Sequence, residues 1–134
     1  MFIAGIVMSD AEATLSPRRR FEDAANAGVL TFQRDPITGT AIFPPRLVAP
    51  RTGSLEPVWC TSKGVGAVHA VTVLHGRDGT RALALIDLDE GFRMLAIVLG
   101  TPPDEVGIGA RVRMRMEHGV DGAYPVFELG GDAP

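Results

Sequence analysis

Short runs rich in apolar residues, bounded by turn-forming residues, dominate the second half of the chain, which is a pattern typical of β-strands; residues 111–117 alternate cleanly between apolar and polar positions. Five runs of this kind occur, at residues 65–74, 81–88, 92–99, 111–117 and 126–129. Asp89-Glu90-Gly91 supplies a hairpin turn between the second and third runs, and a Pro- and Gly-rich link, residues 101–110, separates the third from the fourth. Five strands in about 65 residues, with no helix-length segment between them, favour a small antiparallel barrel of the OB type over a parallel sheet.

One helix is expected upstream of the strands. Ser16 is a suitable N-cap, Pro17 suits the first helical position, and Gly28 suits the residue that follows the helix end. Three arginines at 18–20 lie in the first turn, where they oppose the helix dipole. Two explanations stay open: the arginines meet an external anion or partner, or they form an ordinary solvated basic turn.

The segment between the helix and the strands, residues 31–57, contains five prolines and two glycines, which exclude a regular helix. We predict turns and short extended pieces there. The predicted organisation is a mobile N-terminal arm at 1–14, a lobe of helix and turns at 15–57, a barrel at 58–130 and a tail at 131–134. Met8, which precedes a polar run, is an alternative start to Met1.

Composition narrows the classes of function. The chain has 134 residues and a net charge of −3, and an acidic chain is not typical of a general nucleic-acid binder. A single cysteine excludes an internal disulfide and a metal site made of cysteines alone. No run approaches the ~18 apolar residues that cross a bilayer. We therefore expect a cytoplasmic protein with no membrane partner.

Two turn-forming segments flank a Phe-Pro-Pro-Arg block in the middle of the chain. They are Phe32-Gln33-Arg34-Asp35-Pro36-Ile37-Thr38-Gly39 and Ala49-Pro50-Arg51-Thr52-Gly53-Ser54, with Phe43-Pro44-Pro45-Arg46 between them and Trp59 and a Gly-rich strand start after them. This layout resembles a family of small accessory proteins of acyl-CoA enzymes. Its members consist of an N-terminal helix, a rubredoxin-like zinc ribbon and a C-terminal OB-fold. The resemblance implies a mainly β fold: a helix, a ribbon-like segment and a five-stranded OB-fold barrel.

The four positions that carry the zinc-binding cysteines in that family differ here. They are Asp35, Thr38, Ala49 and Thr52. Zinc needs four nitrogen, sulfur or oxygen ligands, and alanine offers none. We therefore expect a degenerate ribbon without structural zinc, in which the turns persist because Gly39 and Gly53 remain. Apolar packing would then replace the ion, and the candidate residues are Ile37, Ile42, Phe43, Leu47 and Val48.

No catalytic site is predicted. Cys60 would need a base such as His69 or His75 within hydrogen-bond reach, and no such arrangement is visible, so a small buried residue is the plainer interpretation. The two histidines lie too far apart along a strand to share a metal ion.

The basic residues allow two interpretations each. Arg111, Arg113 and Arg115 form a stripe that meets phosphates or is the solvent face of a strand. Lys63 either lies near an anionic ligand or is simply part of the Gly-rich segment that precedes the first barrel strand. Arg46 follows two prolines that stiffen the backbone. It either binds an anionic group, a carboxylate or a phosphate, or it ties the ribbon to the barrel.

The resemblance implies a non-catalytic accessory subunit that binds a thiolase-like acyl-CoA enzyme of lipid metabolism, or a hydratase, and helps to form or cap its acyl-CoA site. No cofactor of the chain's own is expected, and acyl-CoA would bind at a site shared with the partner. The expected contact residues are Arg18, Arg19, Arg20, Phe21, Phe43, Arg46, Trp59 and Lys63. The alternatives are an OB-fold binder of single-stranded nucleic acid and a stand-alone acyl-CoA-binding protein.

Overall fold

The computed structural model describes residues 16–130. The predicted arm at 1–14 and the predicted tail at 131–134 therefore lie outside the described residues. One helix, α1, spans Pro17–Asn26. The strands, in chain order, are β1 Thr31–Arg34, β2 Ala41–Ile42, β3 Val58–Thr61, β4 Val65–Gly76, β5 Gly79–Leu88, β6 Arg93–Leu99, β7 Arg111–Gly119 and β8 Gly122–Leu129, with a 3₁₀ turn at Pro103–Glu105. No helix within this range is both long and apolar enough to span a membrane.

The ends of α1 follow the sequence prediction. The Ser16 hydroxyl accepts a hydrogen bond from the Arg19 N–H at 3.0 Å, and Pro17 occupies the first turn. Gly28, after the C-cap, adopts φ +86°, a conformation that glycine reaches without steric cost. Asn26 accepts a hydrogen bond from the Ala123 N–H at 2.8 Å, so the end of α1 is held against the β7–β8 hairpin.

The strands form two sheets. β1 pairs antiparallel with β2 and with β3, giving a three-stranded sheet in the order β2-β1-β3. The other five strands close into a barrel in the order β4-β5-β6-β8-β7, in which β6 and β8 are the parallel pair. The mainly β fold with an N-terminal helix and a five-stranded barrel is thus confirmed.

The predicted boundary at residue 58 between lobe and barrel falls at the start of β3. β3 does not join the barrel; it pairs with β1 in the register Phe32↔Cys60 and Arg34↔Val58. The barrel begins at Val65, after the Ser62–Gly64 junction. β3 pairs along the edge of β1 that β2 leaves open. The lobe therefore consists of α1, the first three strands and two turns, at residues 35–39 and 49–53, which we call the first and second knuckle.

The last strand also begins earlier than predicted, at Gly122 rather than at Val126. A tight hairpin at residues 119–122 joins it to β7, and Pro125 lies opposite Met116 inside the strand. The proline is tolerated because β6 pairs only with Phe127 and Glu128, so Pro125 has a strand neighbour on one side alone.

A ladder of aromatic rings joins the lobe to the barrel. Phe32 stacks on Phe92 at 4.7 Å between ring centroids, Phe92 stacks on Phe43 at 5.1 Å, and Phe43 meets the edge of Phe21 at 5.6 Å. The rings come from β1, the β5–β6 turn, the Phe-Pro-Pro-Arg block and α1 in turn. They merge the lobe and the barrel into one hydrophobic core.

The apolar residues expected to replace the zinc ion divide into two groups. Ile42 is buried and Phe43 packs on the core, as predicted. Ile37, Leu47 and Val48 are instead 68%, 71% and 41% exposed, so the prediction is wrong for these three. They lie on short turns with no sheet face behind them, and polar contacts hold the turns.

Candidate functional site

The two knuckle turns are joined by a hydrogen-bonded carboxylate. Asp35, only 3% exposed, accepts hydrogen bonds from the Ile37 N–H at 2.8 Å and from the Thr52 hydroxyl at 2.7 Å. The Thr52 hydroxyl, followed by the backbone N–H groups of Ile37 and Thr38, keeps the pKa of Asp35 below its usual value although burial opposes this. Asp35 is therefore an anion at neutral pH and links the first knuckle to the second.

The side chains at the four positions that the resemblance assigns to zinc ligands do not fit the ion. The Thr52 hydroxyl is used by Asp35, the Thr38 hydroxyl donates to the Thr40 hydroxyl at 2.9 Å, and Ala49 has no donor atom. Between residues 16 and 130 no cluster of three or more His, Cys, Asp or Glu side chains can hold a metal ion. Gly39 and Gly53 keep positive φ angles of 76° and 74°, so the turns themselves persist.

Arg46 is fixed through its backbone. The Gln33 amide, 2% exposed on β1, donates to the Arg46 carbonyl at 2.8 Å and accepts from the Arg46 N–H at 2.7 Å. The tie between the Phe-Pro-Pro-Arg block and the sheet therefore comes from Gln33, while the Arg46 side chain is exposed. The role of Gln33 is not apparent from the sequence, because a glutamine in a short strand gives no local signal for it.

A groove of about 260 Å³ runs between the knuckles, and we call it the knuckle groove. Its lining includes Asp35, Thr38, Ile42, Phe43, Arg46 and Arg51. Two predicted contact residues, Phe43 and Arg46, thus share one site. Arg51 was not singled out in the sequence, although it occupies the second knuckle.

The arginines of α1 are placed on its outer surface. Arg18 pairs with Glu22 at 2.9 Å and Arg19 pairs with Asp23 at 3.1 Å, both one helical turn away. Such exposed pairs contribute only about 0.3–0.5 kcal/mol each. Arg20 instead lies over the Trp59 ring, 5.0 Å from its centroid, and so joins α1 to β3. Two of the three arginines in the first turn, Arg18 and Arg19, are therefore neutralised by ion pairs within the helix.

A second groove, of about 360 Å³, lies on the outer face of the barrel, and we call it the barrel groove. Its lining is apolar and includes Phe21, Phe43, Leu83, Leu95, Ile97 and Tyr124. Phe43 therefore separates the two grooves. Apart from Phe21 and Phe43, none of these residues was identified from the sequence. A signal was present, because β5 and β6 contain continuous apolar stretches at residues 82–86 and 94–99, which indicates strands covered on both faces.

Lys63 lies at the junction between lobe and barrel, apart from both grooves. Its backbone N–H donates to the Glu90 carboxylate at 2.7 Å, and the Ser62 hydroxyl donates to the same carboxylate at 2.9 Å. The backbone carbonyl of Glu90 accepts a hydrogen bond from Arg34 at 3.3 Å. Glu90, in the β5–β6 turn, thus fastens the junction and β1 to the barrel.

The basic stripe on β7 is largely neutralised. Arg111 makes a bidentate pair with Asp89 at 2.6 and 3.0 Å, which lowers the pKa of Asp89. Arg115 pairs with Glu117 and Glu128. These ion pairs favour the solvent-face interpretation of the stripe over phosphate binding.

The cysteine and histidines form no catalytic group in the described part of the chain. The Cys60 thiol contacts the Val58 carbonyl at 3.7 Å. His69 lies 3.4 Å from the Asp87 carboxylate, which also pairs with Arg93 at 2.6 Å. The hydrogen bond from Arg93 keeps the pKa of Asp87 low.

Comparisons with known proteins agree on the barrel. Residues 59–117 match the family model described as the ChsH2 C-terminal OB-fold domain. The barrel is therefore an OB-fold similar to that of ChsH2. No curated protein matches the chain.

Two solved structures resemble a larger part of the chain. One, described as the Ltp2-ChsH2(DUF35) aldolase, is 28% identical with a TM-score of 0.74, covering 82% of this chain and 91% of the matched chain. The other, a DUF35 protein of unknown function from Sulfolobus solfataricus, is 13% identical with a TM-score of 0.66, covering 89% of each chain. The second likeness concerns the fold alone.

Proposed function

We propose that this chain is a non-catalytic accessory subunit that binds a thiolase-like acyl-CoA enzyme and helps to form its acyl-CoA site. The observation that carries the proposal is the likeness, over 82% of the chain, to the aldolase described as Ltp2-ChsH2(DUF35), which is named for two components. The proposal includes no zinc and no other cofactor of the chain's own.

Exposed apolar side chains support a binding role for the lobe. Five large ones lie on its turns and strands: Ile37, Leu47, Val48, Leu55 and Val58. Clusters of exposed apolar side chains frequently mark interaction surfaces, so five of them on one small lobe support this role. In this proposal the lobe docks on the enzyme, with Phe43, Arg46 and the α1 residues Arg18, Arg19, Arg20 and Phe21 beside it and with Trp59 and Lys63 at the junction.

The barrel groove supports a role beside an apolar ligand. Its lining is almost entirely apolar although it lies on the outer face of the barrel, where polar residues are the norm. A subunit placed with this face toward the enzyme would exclude water from an acyl chain. The reaction itself would remain with the residues of the partner.

Co-expression with a thiolase-like enzyme, followed by size-exclusion chromatography, tests the proposal. We expect the two proteins to co-elute, and we expect the double variant L47E/L55E to lose most of the complex because it places two charges on the exposed lobe. Ile108→Glu is the matched control, since Ile108 is equally exposed but lies on the β6–β7 link. A solitary monomer with every enzyme of this class would overturn the proposal.

A further inference from the structure

Two arginines of the knuckle groove have no partner within residues 16–130. Neither the Arg46 nor the Arg51 side chain makes an ion pair or a hydrogen bond there, and both residues are exposed. Several other arginines do have partners: Arg18 and Arg19 pair on α1, and Arg93 pairs with Asp87. Arg46 and Arg51 differ from these in being unpaired within the described part of the chain, and both line the same groove.

The single carboxylate in the lining does not neutralise them. Both oxygens of Asp35 are taken, one by the Ile37 N–H and one by the Thr52 hydroxyl, and neither lies in an ion pair with Arg46 or Arg51. Two positive charges against one buried negative charge leave the groove with an excess positive charge. A guanidinium presents several N–H donors in a planar fork, which matches the oxygens of a phosphate.

The backbone around both arginines is rigid. Gln33 holds the N–H and the carbonyl of Arg46 at the same time, and Pro44 and Pro45 precede it. Pro50 likewise precedes Arg51. A site whose backbone is fixed before binding loses less conformational entropy when a ligand enters.

We propose that the knuckle groove binds a phosphomonoester, with the rest of the ligand lying against Phe43 and Ile42. A phosphomonoester carries close to two negative charges at neutral pH and so suits two guanidiniums better than a carboxylate does. The groove volume of about 260 Å³ is below the roughly 300–1,000 Å³ of sites that enclose a whole ligand. It therefore holds one end of a larger molecule or a small phosphate compound.

The inference goes beyond the proposed function, because it assigns a ligand chemistry to this chain without any partner enzyme. Coenzyme A, whose ribose carries a 3′-phosphate, and a free phosphate are two sources of the same group. Asp35 lines the same groove, but its carboxylate is engaged by the Thr52 hydroxyl, so phosphate binding is assigned to the side of the groove that carries Arg46 and Arg51.

Isothermal titration calorimetry on the full chain alone tests the inference with coenzyme A, 3′-dephospho-coenzyme A and inorganic phosphate. We expect the affinity for coenzyme A to be about ten times that for the dephospho form, which corresponds to a difference of about 1.4 kcal/mol in binding free energy. Competition by inorganic phosphate at low concentration would identify a general phosphate site, and absence of competition would assign the site to the ribose phosphate. Either result supports phosphomonoester binding.

The double variant R46Q/R51Q is expected to lose this preference, and Arg81→Gln is the matched control. Arg81 is an exposed arginine of β5 without an ion pair in the described range and outside the knuckle-groove lining. All three side chains are exposed, so the variants should keep the unfolding midpoint of the parent protein, which circular dichroism checks. Equal binding of the two coenzyme forms without phosphate competition would overturn the inference, as would unchanged binding by R46Q/R51Q. Complex formation with an enzyme is measured separately, so failure here leaves the proposed subunit role standing.

Discussion

The barrel and the lobe are both made of β-strands, but different interactions hold them. The barrel is filled by alternating side chains from its own strands: Val68, Ala82, Ala84, Ile86, Met94, Ala96, Val98, Val112 and Phe127. The lobe has two-residue and four-residue strands and relies on buried polar side chains, chiefly Gln33 and Asp35, and on aromatic contact with the barrel. The comparison shows how a lobe of short strands and turns stays folded without a large core of its own: local hydrogen bonds tie the turns together, and the neighbouring barrel core supplies the apolar burial.

The strongest test of this comparison removes the ring that both regions share. Phe92 is buried and stacks on Phe32 and Phe43 of the lobe, so Phe92→Ala should lower the free energy of unfolding by about 3–5 kcal/mol. Leu95→Ala, on the exposed outer face, should cost far less. Urea denaturation of both variants measures the difference. If F92A proved as mild as L95A, the lobe would not depend on the barrel.

A second substitution breaks the barrel alone. A Cβ atom at Gly66 would lie 2.3 Å from the Asp87 carbonyl oxygen of β5, so Gly66→Ala must separate β4 from β5. We expect a loss of about 3 kcal/mol. Gly107→Ala is the control, because nothing lies within 4 Å of its Cβ position. Similar urea midpoints for the two variants would contradict the close strand contact.

A third substitution acts on the lobe alone. Gln33→Ala removes both hydrogen bonds to Arg46 and should cost about 1–3 kcal/mol. The matched amide is Asn26→Ala, which loses one exposed hydrogen bond to Ala123. Hydrogen exchange should rise in the lobe of Q33A while the barrel amides stay protected. Uniformly faster exchange would instead mean that the two regions unfold as one unit.

The smallest expected effect is a dependence on pH in the lobe. The folded pKa of Asp35 lies below its usual value of 3.8, so the ionised carboxylate stabilises the folded state. This contribution is fully present above pH 3.8 and is lost as the pH falls through the lower, folded pKa. Asp87 and Asp89 of the barrel show the same direction, which adds to the acid sensitivity of the whole protein.

Asp35→Asn should therefore reduce the loss of unfolding free energy at acid pH by the part that the Asp35 carboxylate contributes. Urea midpoints collected from neutral to acid pH measure this contribution. Asp104→Asn, on the exposed 3₁₀ turn, is the control and should keep the parent profile. A D35N profile parallel to that of the parent would assign the acid sensitivity to the barrel carboxylates alone.

The sequence was sufficient for the barrel and for α1 because their signals are local. Apolar-rich runs bounded by turn residues located the barrel strands, and Ser16, Pro17 and Gly28 marked the helix ends. The sequence did not show that β3 belongs to the three-stranded sheet of the lobe. This placement depends on the pairing of Phe32 with Cys60, which lie 28 positions apart, and no local pattern encodes such a pairing. Gln33 was missed for the same reason: its partner, Arg46, is 13 residues away.

Two of the predicted contact residues line the knuckle groove. Phe43 and Arg46 were singled out because the Phe-Pro-Pro-Arg block is a recognisable layout, and the structure places both on the knuckle groove. Arg51 and the outer apolar residues Leu83 and Leu95 were not. Whether an exposed side chain joins a groove depends on how separate elements pack, and that information is spread over the whole chain.

The attachment of the lobe to Glu90 has a consequence for related chains. This residue belongs to the turn between β5 and β6, and its side chain and carbonyl hold the junction and β1. One inserted residue there would displace the anchor by up to ~3.8 Å, one Cα spacing. The orientation of the lobe relative to the barrel can thus differ among homologues because the length of this one surface turn differs, while every strand keeps its register.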